Sequence, residues 1–212
     1  MSDRLISLFL TSLLLTACGG PAATVGDRQQ SPIEDSQQYS VGDRQQLRAQ
    51  EPGEQALMHL WFALTDVDPA VRVQAVSQLT EFTDESVADL LSYAFIDPHW
   101  SVRLEVVDSV GFIAEDRALS LLGVALTDFR NEVREAAVEA CSGIGGDAAA
   151  MILSTALVDA DVEIREEALY ALQEIGGSVA QGLLQQALSD DDEDLRQLAV
   201  ELLQRTPKSD FQ

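Results

Sequence analysis

The stretch "ALTDFRNEVREAAVEA", residues 125–140, sets an acid, Asp128, six positions before a base, Arg134. The two charges stand at the start of a pattern whose apolar residues recur three, four and seven apart, which is helical spacing. Alone, the pair allows a catalytic acid and base or a structural brace. Its surroundings decide between them, because the same arrangement recurs every 31 residues. Ala63, Ala94, Ala125, Ala156 and Ala187 open the periods. Three positions on stand Asp66, Asp97, Asp128, Asp159 and Asp190. Nine positions on stand Arg72, Arg103, Arg134, Arg165 and Arg196. One active site does not need five copies, so the pair reads as a brace.

The apolar register repeats as well. Val71, Val102, Val133, Ile164 and Leu195 precede the arginines. Leu79, Val110, Cys141, Leu172 and Leu203 follow on the same helical face. A second apolar face lies in the other half of each period, as in Leu121-Leu122 and Leu183-Leu184. Each unit is therefore expected to be a helix pair with a short polar turn inside it. The spacing predicts first helices over 54–64, 86–95, 116–126, 147–157 and 178–188, and second helices over 69–82, 100–113, 131–143, 162–175 and 193–205. Breaks such as Gly145-Gly146 and Gly176-Gly177 separate units. One pair cannot bury its apolar face alone, but a stack shares a continuous core. The aspartate lies in the turn, where a carboxylate can accept the free N–H groups that open the second helix.

The Asp-x-Asp/Asn-x-x-Val-Arg-x-x-Ala pattern resembles HEAT repeats, more narrowly the short bacterial type also found in phycobilin lyases. The likeness spans about residues 54 to 206. It implies an all-α fold, a right-handed α-solenoid of about five helix pairs. It also implies a ladder in which each arginine reaches the aspartate of its own or a neighbouring unit, and a concave side lined by the second helices.

The bulk composition agrees with this. Aromatic residues make up only 6% of the chain and apolar residues 46%, so the core is expected to be Leu, Val, Ile and Ala. The formal net charge is −23. Such a surface repels nucleic acid, whose phosphates need cations to displace their counterions. It leaves basic proteins, polyamines and metal cations as possible partners. Residues 51–212 hold 31 acidic and 9 basic residues, and five of the nine are the ladder arginines.

The first 17 residues carry Arg4 and then an apolar run too short to span a bilayer, which takes roughly 20 residues. They read as a signal peptide. Leu15-Thr16-Ala17-Cys18 resembles the lipobox of bacterial lipoproteins, which implies that Cys18 is lipidated and becomes the new N-terminus. Gly19 in place of Asp points, by the same analogy, to the outer membrane rather than the inner, with the chain facing the periplasm. Residues 18–50 are rich in Gly, Gln, Ser, Asp and Arg and read as a disordered tether. A coil of that length spans about 30 Å. VGDRQQ occurs in it twice, at 25–30 and 41–46. The repeat domain is expected over 51–207 and a tail over 208–212.

Function is then sought on what does not repeat. Asp108, Glu135, Glu139, Glu166, Glu167, Glu174 and Glu201 fall on outward positions of the second helices, with Tyr170, Val73 and Leu104 among them. An acidic, partly apolar groove suits a basic or amphipathic protein segment. A solvated helix face is the plain alternative. The run Asp190-Asp191-Asp192-Glu193-Asp194 lacks the glycine and distal glutamate of a calcium loop and falls at a helix start, where it reads as capping. In "IDPHW", residues 96–100, Trp100 reads as packing. Cys141 shares its register with Leu and Val, so it reads as core. His-Glu pairs, zinc spacing, a nucleophile with its base and a phosphate loop are all missing from the sequence. No enzyme activity, cofactor or metal is expected. The expectation is a membrane-anchored scaffold that binds a protein through an acidic concave surface. The alternative is a lyase-like or assembly factor for a cofactor or complex.

Overall fold

Every unit closes its first helix with the same backbone bond. The amides of Asp66, Asp97, Asp128, Asp159 and Asp190 donate to the carbonyls of Ala63, Ala94, Ala125, Ala156 and Ala187, at 3.0–3.2 Å. Bonds to the third residue back tighten the last turn into 3-10 geometry. This explains why alanine and aspartate keep their three-residue spacing in all five periods. Hydroxyls of Thr65, Thr127 and Ser189 bond carbonyls three residues back at the same place.

The computed structural model describes residues 52–82 and 85–205. The signal segment, Cys18, the tether and the tail lie outside them. The described part comprises ten α-helices in five pairs: α1 Pro52–Ala63 with α2 Pro69–Leu79, α3 Ser86–Ala94 with α4 Trp100–Asp108, α5 Glu115–Ala125 with α6 Asn131–Ile144, α7 Gly146–Leu153 with α8 Val162–Ile175, and α9 Gly177–Gln186 with α10 Glu193–Arg205. Among the described residues there are no strands, and no helix is long and apolar enough to cross a membrane.

The expected spans hold within a few residues, with one systematic difference. α2, α4, α7 and α9 stop short of their predicted ends. 3-10 turns at Val110–Phe112, Ala156–Val158 and Ala187–Ser189 follow α4, α7 and α9. The apolar register continues through those turns, so periodicity alone could not mark the change of helix type.

Second helices pack in an unbroken row, α2 on α4, α4 on α6, α6 on α8 and α8 on α10. First helices α5, α7 and α9 form a parallel row. The core lies between the rows and runs through all five units. It includes Leu79, Leu91, Val106, Leu122, Val133, Cys141, Leu153, Ile164, Leu172, Leu184 and Leu202, each 0–1% exposed. Fully burying a side chain of that size contributes about 1.5–3 kcal/mol. Cys141 is core as its register implies, and burial pushes its thiol up to about 12.

α6 and α8 end on glycine pairs. Gly145 and Gly176 take φ of +72° and +65° with ψ of −170° and −162°, a region open essentially to glycine alone. The chain there reverses from one unit into the next.

Candidate functional site

The pair that opens the sequence argument is joined, but not carboxylate to guanidinium. Arg134 Nη1 donates to the backbone carbonyl of Asp128 at 2.8 Å. Its Nε and Nη2 donate to the carboxylate of Asp159, in the next unit, at 2.7 and 3.0 Å. The Asp128 carboxylate in turn accepts from Nε and Nη2 of Arg103, in the preceding unit, at 2.6 and 2.8 Å.

The same geometry runs along the stack. Arg72 forks onto Asp97 at 2.6 and 2.8 Å, and Arg165 onto Asp190 at 3.1 and 3.3 Å. Every carboxylate partner lies 25 residues on from its arginine, so the ladder joins neighbours only. It has four rungs. Asp66 and Arg196, the outermost members, have no such partner among the described residues.

One expectation about the aspartates is corrected. They do not cap the second helices directly. Asp128 Oδ1 accepts the amide of Arg130, which is the residue before α6, at 2.9 Å. Asp66, Asp97, Asp159 and Asp190 bond the amide two residues on in the same way. True caps come from those later residues. Asp68 accepts from Ala70, His99 Nδ1 from Ser101, Asp161 from Glu163, and Asp192 from Asp194 and Leu195. Two acids are thus used at three of the five turns, one to fix the turn and one to start the helix; His99 takes the second place in the second unit, and Arg130 starts α6 without a side-chain cap. Within the acidic run at 190–194, Asp190 and Asp192 are used this way.

Rung electrostatics follow from burial and pairing. Desolvation by itself would raise the Asp97 carboxyl. The Arg72 guanidinium and the His99 amide outweigh it and hold the carboxyl below its ordinary value. Asp128 is held down in the same manner by Arg103 and the Arg130 amide. Arg103 is 5% exposed, with Phe129 stacked 4.4 Å from its guanidinium carbon. Beside it, Arg130 lies 5.0 Å from the Trp100 ring, so Trp100 is half-buried packing while His99 stays exposed as a cap.

The outward carboxylates behave differently. Asp108, on α4, is pushed up by burial and then by the charges of Glu105 and Glu139. Glu167, on α8, is pushed up by burial and then by Glu135, Glu139, Glu166 and Asp161. The structure therefore brings Asp108, Glu135, Glu139, Glu166 and Glu167 into one electrostatic neighbourhood spanning α4, α6 and α8. None of the five forms an ion pair among the described residues. Ser142 on α6 donates to Glu174 on α8 at 2.8 Å, which ties the edge of this face across two units. Tyr170 stands 47% exposed in register with Asp108 and Glu139. Glu201 is set apart, and its neighbour is Arg205 at 4.0 Å. Val73 and Leu104 turn partly into the core rather than lining the face.

Glu105 and Asp161 belong to this neighbourhood and were missed from sequence. Glu105 shares its register with Glu167, which is the signal that could have found it. Asp161 reads as a turn residue, and its second contact, an acceptor for the Asn131 side-chain amide, needs the fold to appear. A shallow open depression near the last rung is lined by Val158, Asp159, Arg165, Asp190 and Asp191 among others, so its charged groups are turn and ladder residues.

None of the curated proteins matches this chain significantly. Among solved structures it is similar to a chain of the CpcE–CpcF phycocyanin lyase complex from Nostoc sp. PCC7120, at 22% identity and a TM-score of 0.50, covering 70% of this chain and 98% of that one. It is also similar to the archaeal HEAT-like repeats protein from Thermococcus onnurineus NA1, at 14% identity and a TM-score of 0.42, covering 72% and 71%. A designed armadillo repeat protein in complex with the peptide (KR)4 aligns at 22% identity and a TM-score of 0.46, covering 76% and 86%. The description of HEAT repeats matches residues 58–142 and 120–204. Together these two segments cover well over half of the sequence, and the chain belongs to the HEAT-repeat family.

Proposed function

We propose that this protein is a binding scaffold, not an enzyme, and that the second-helix face of α4, α6 and α8 receives a basic or amphipathic segment of a partner protein. One observation carries the reading. Asp108, Glu135, Glu139, Glu166 and Glu167 gather on adjacent second helices and none forms an ion pair among the described residues, so the face holds negative charge that the described residues do not neutralise. Ladder aspartates, by contrast, are paired and held down. A cationic segment laid along the face relieves that repulsion, and exposed Tyr170 offers it an amphipathic anchor. We further propose that lipidated Cys18 and the 18–50 tether hold the scaffold at the membrane, facing the periplasm, on the strength of the lipobox likeness. In the alternative, a lyase-like or assembly factor, one set of surface residues would be essential to turnover; the sequence nominates none.

A fluorescent Lys/Leu amphipathic peptide tests the site. Binding should weaken steeply as salt rises toward about 0.5 M, where the screening length falls to roughly 4 Å. Glu135→Lys with Glu139→Lys should abolish it and leave the melting temperature unchanged or higher. Binding that ignores both salt and the double substitution refutes the site. Metabolic labelling with a palmitate analogue, compared with Cys18→Ser, tests the anchor separately.

A further inference from the structure

The two ends of the stack are unfinished in complementary ways. All five arginines anchor Nη1 on the carbonyl of their own turn, Asp66, Asp97, Asp128, Asp159 and Asp190, at 2.8–2.9 Å. In four units the other two donors, Nε and Nη2, then meet the next aspartate. In the fifth, Arg196 is held by Nη1 on Asp190 and Asp191, and Nε and Nη2 have no acceptor among the described residues. At the other end Asp66 is fixed like its counterparts, with Oδ1 on the amide of Asp68 at 2.8 Å, yet no arginine among the described residues forks onto it. Both halves of a fifth rung are preset, one at each end.

Apolar burial breaks at the same places. Leu64, Phe95, Leu126 and Leu157 are 2–8% exposed, but Leu188, their equivalent in the last unit, is 40% exposed. What covers the first four is thus supplied by the unit that follows. Val102, Val133, Ile164 and Leu195 are 0–2% exposed, but Val71, their equivalent in the first unit, is 36% exposed. What covers those is supplied by the unit that precedes. Among the described residues the last unit has no successor and the first no predecessor, and each carries what the other needs.

We infer that a second copy of this chain stacks head to tail, with Arg196 of one copy forked onto Asp66 of the next and the Leu188 and Val71 surfaces closed between them. A bidentate arginine–carboxylate pair fixes direction and register as well as adding attraction. Such a contact is heterologous, so it propagates into open rows unless the rotation per copy closes a ring. Overall charge of the same sign opposes the approach, so the association should appear once about 0.15 M salt has screened the far field while the close pair survives.

Sedimentation velocity on the full chain tests this across a range of concentrations. The expected result is mass that grows with concentration. Asp66→Asn removes no rung within the chain and should leave the melting temperature in place while weakening association at least about tenfold. Arg196→Gln should weaken it equally. A chain that stays monomeric at all concentrations overturns the inference, as does association that ignores Asp66→Asn. Association that emerges only when residues 206–212 are removed also overturns it, since Asp210 and Phe211 would then be the natural occupants of that end.

Discussion

Arg134 bonds the carboxylate of Asp159, 25 residues ahead, at 2.7 and 3.0 Å, and touches Asp128 only through its backbone carbonyl. One side chain therefore pins its own turn and the next turn together. The rung is largely shielded, with the two side chains 12% and 8% exposed.

Arg134→Ala should lower stability by about 3 kcal/mol, because it leaves the Asp159 carboxylate and a turn carbonyl without their donors. For a repeat domain of this size that is a fall of roughly 10 °C in the melting midpoint, read by circular dichroism. Arg134→Lys should recover less than half, since an ammonium cannot serve three acceptors in one plane. A variant that melts like the parent but loses partner binding would return the residue to the functional surface.

Acid should unfold the protein through the rungs. Asp97 and Asp128 have folded values below their unfolded value of about 3.9, so they add stability above that pH and lose it as pH falls through the lower folded value. Asp108 and Glu167 act in the opposite direction. Their folded values are raised, so their contribution is present at low pH and disappears as pH rises through those values. Glu167→Gln should raise the melting midpoint by about 1 °C at pH 7 and by nothing near pH 4. Asp128→Asn should lower it at pH 7 and flatten the acid limb of the stability curve. Melting curves at pH 3 to 8 separate the two signs.

Two glycines only two residues apart should respond oppositely to alanine. Gly143 sits inside α6 with open space where a Cβ would go, so Gly143→Ala should stabilise by about 0.5–1 kcal/mol. Gly145 holds φ of +72° and ψ of −170°, so Gly145→Ala should destabilise by about 1–3 kcal/mol. Denaturant titration of the two variants checks the contrast.

The Cys141 thiol is fully buried and pushed up to about 12. Its alkylation by iodoacetamide at pH 8 should be limited by opening of the stack, and should accelerate in denaturant in step with unfolding. Mass spectrometry of the peptide containing Cys141 reads the rate. Fast labelling under native conditions contradicts the packing described.

The helix pairs and the core register were legible because a 31-residue period repeats each local signal five times, while the ends of α2, α4, α7 and α9 were not. Ala125 and Asp128 are informative only beside Ala94 and Asp97. Less legible was the direction of the rungs. Asp128 lies six residues from Arg134 and 25 from Arg103, and sequence proximity favours the wrong carboxylate. The first arginine instead meets the backbone of the nearer residue, because the turn points that carboxylate back along the stack. Glu105 was overlooked because its register mate in the next unit is Ala136, which hides the row. His99 stands in register with the caps Asp68, Asp161 and Asp192, and was passed over because histidine is not among the usual capping residues.

The fixed step of 25 residues between rung partners makes the chain tolerant of a particular kind of edit. Excise residues 125–155, one whole period, and Arg103 finds Asp159 where Asp128 had been, at unchanged separation. Insert a period and the count is again preserved. Lengthening or shortening by whole units thus requires no new interaction to be invented, and a gene that slips by 93 nucleotides still encodes a protein whose joints meet.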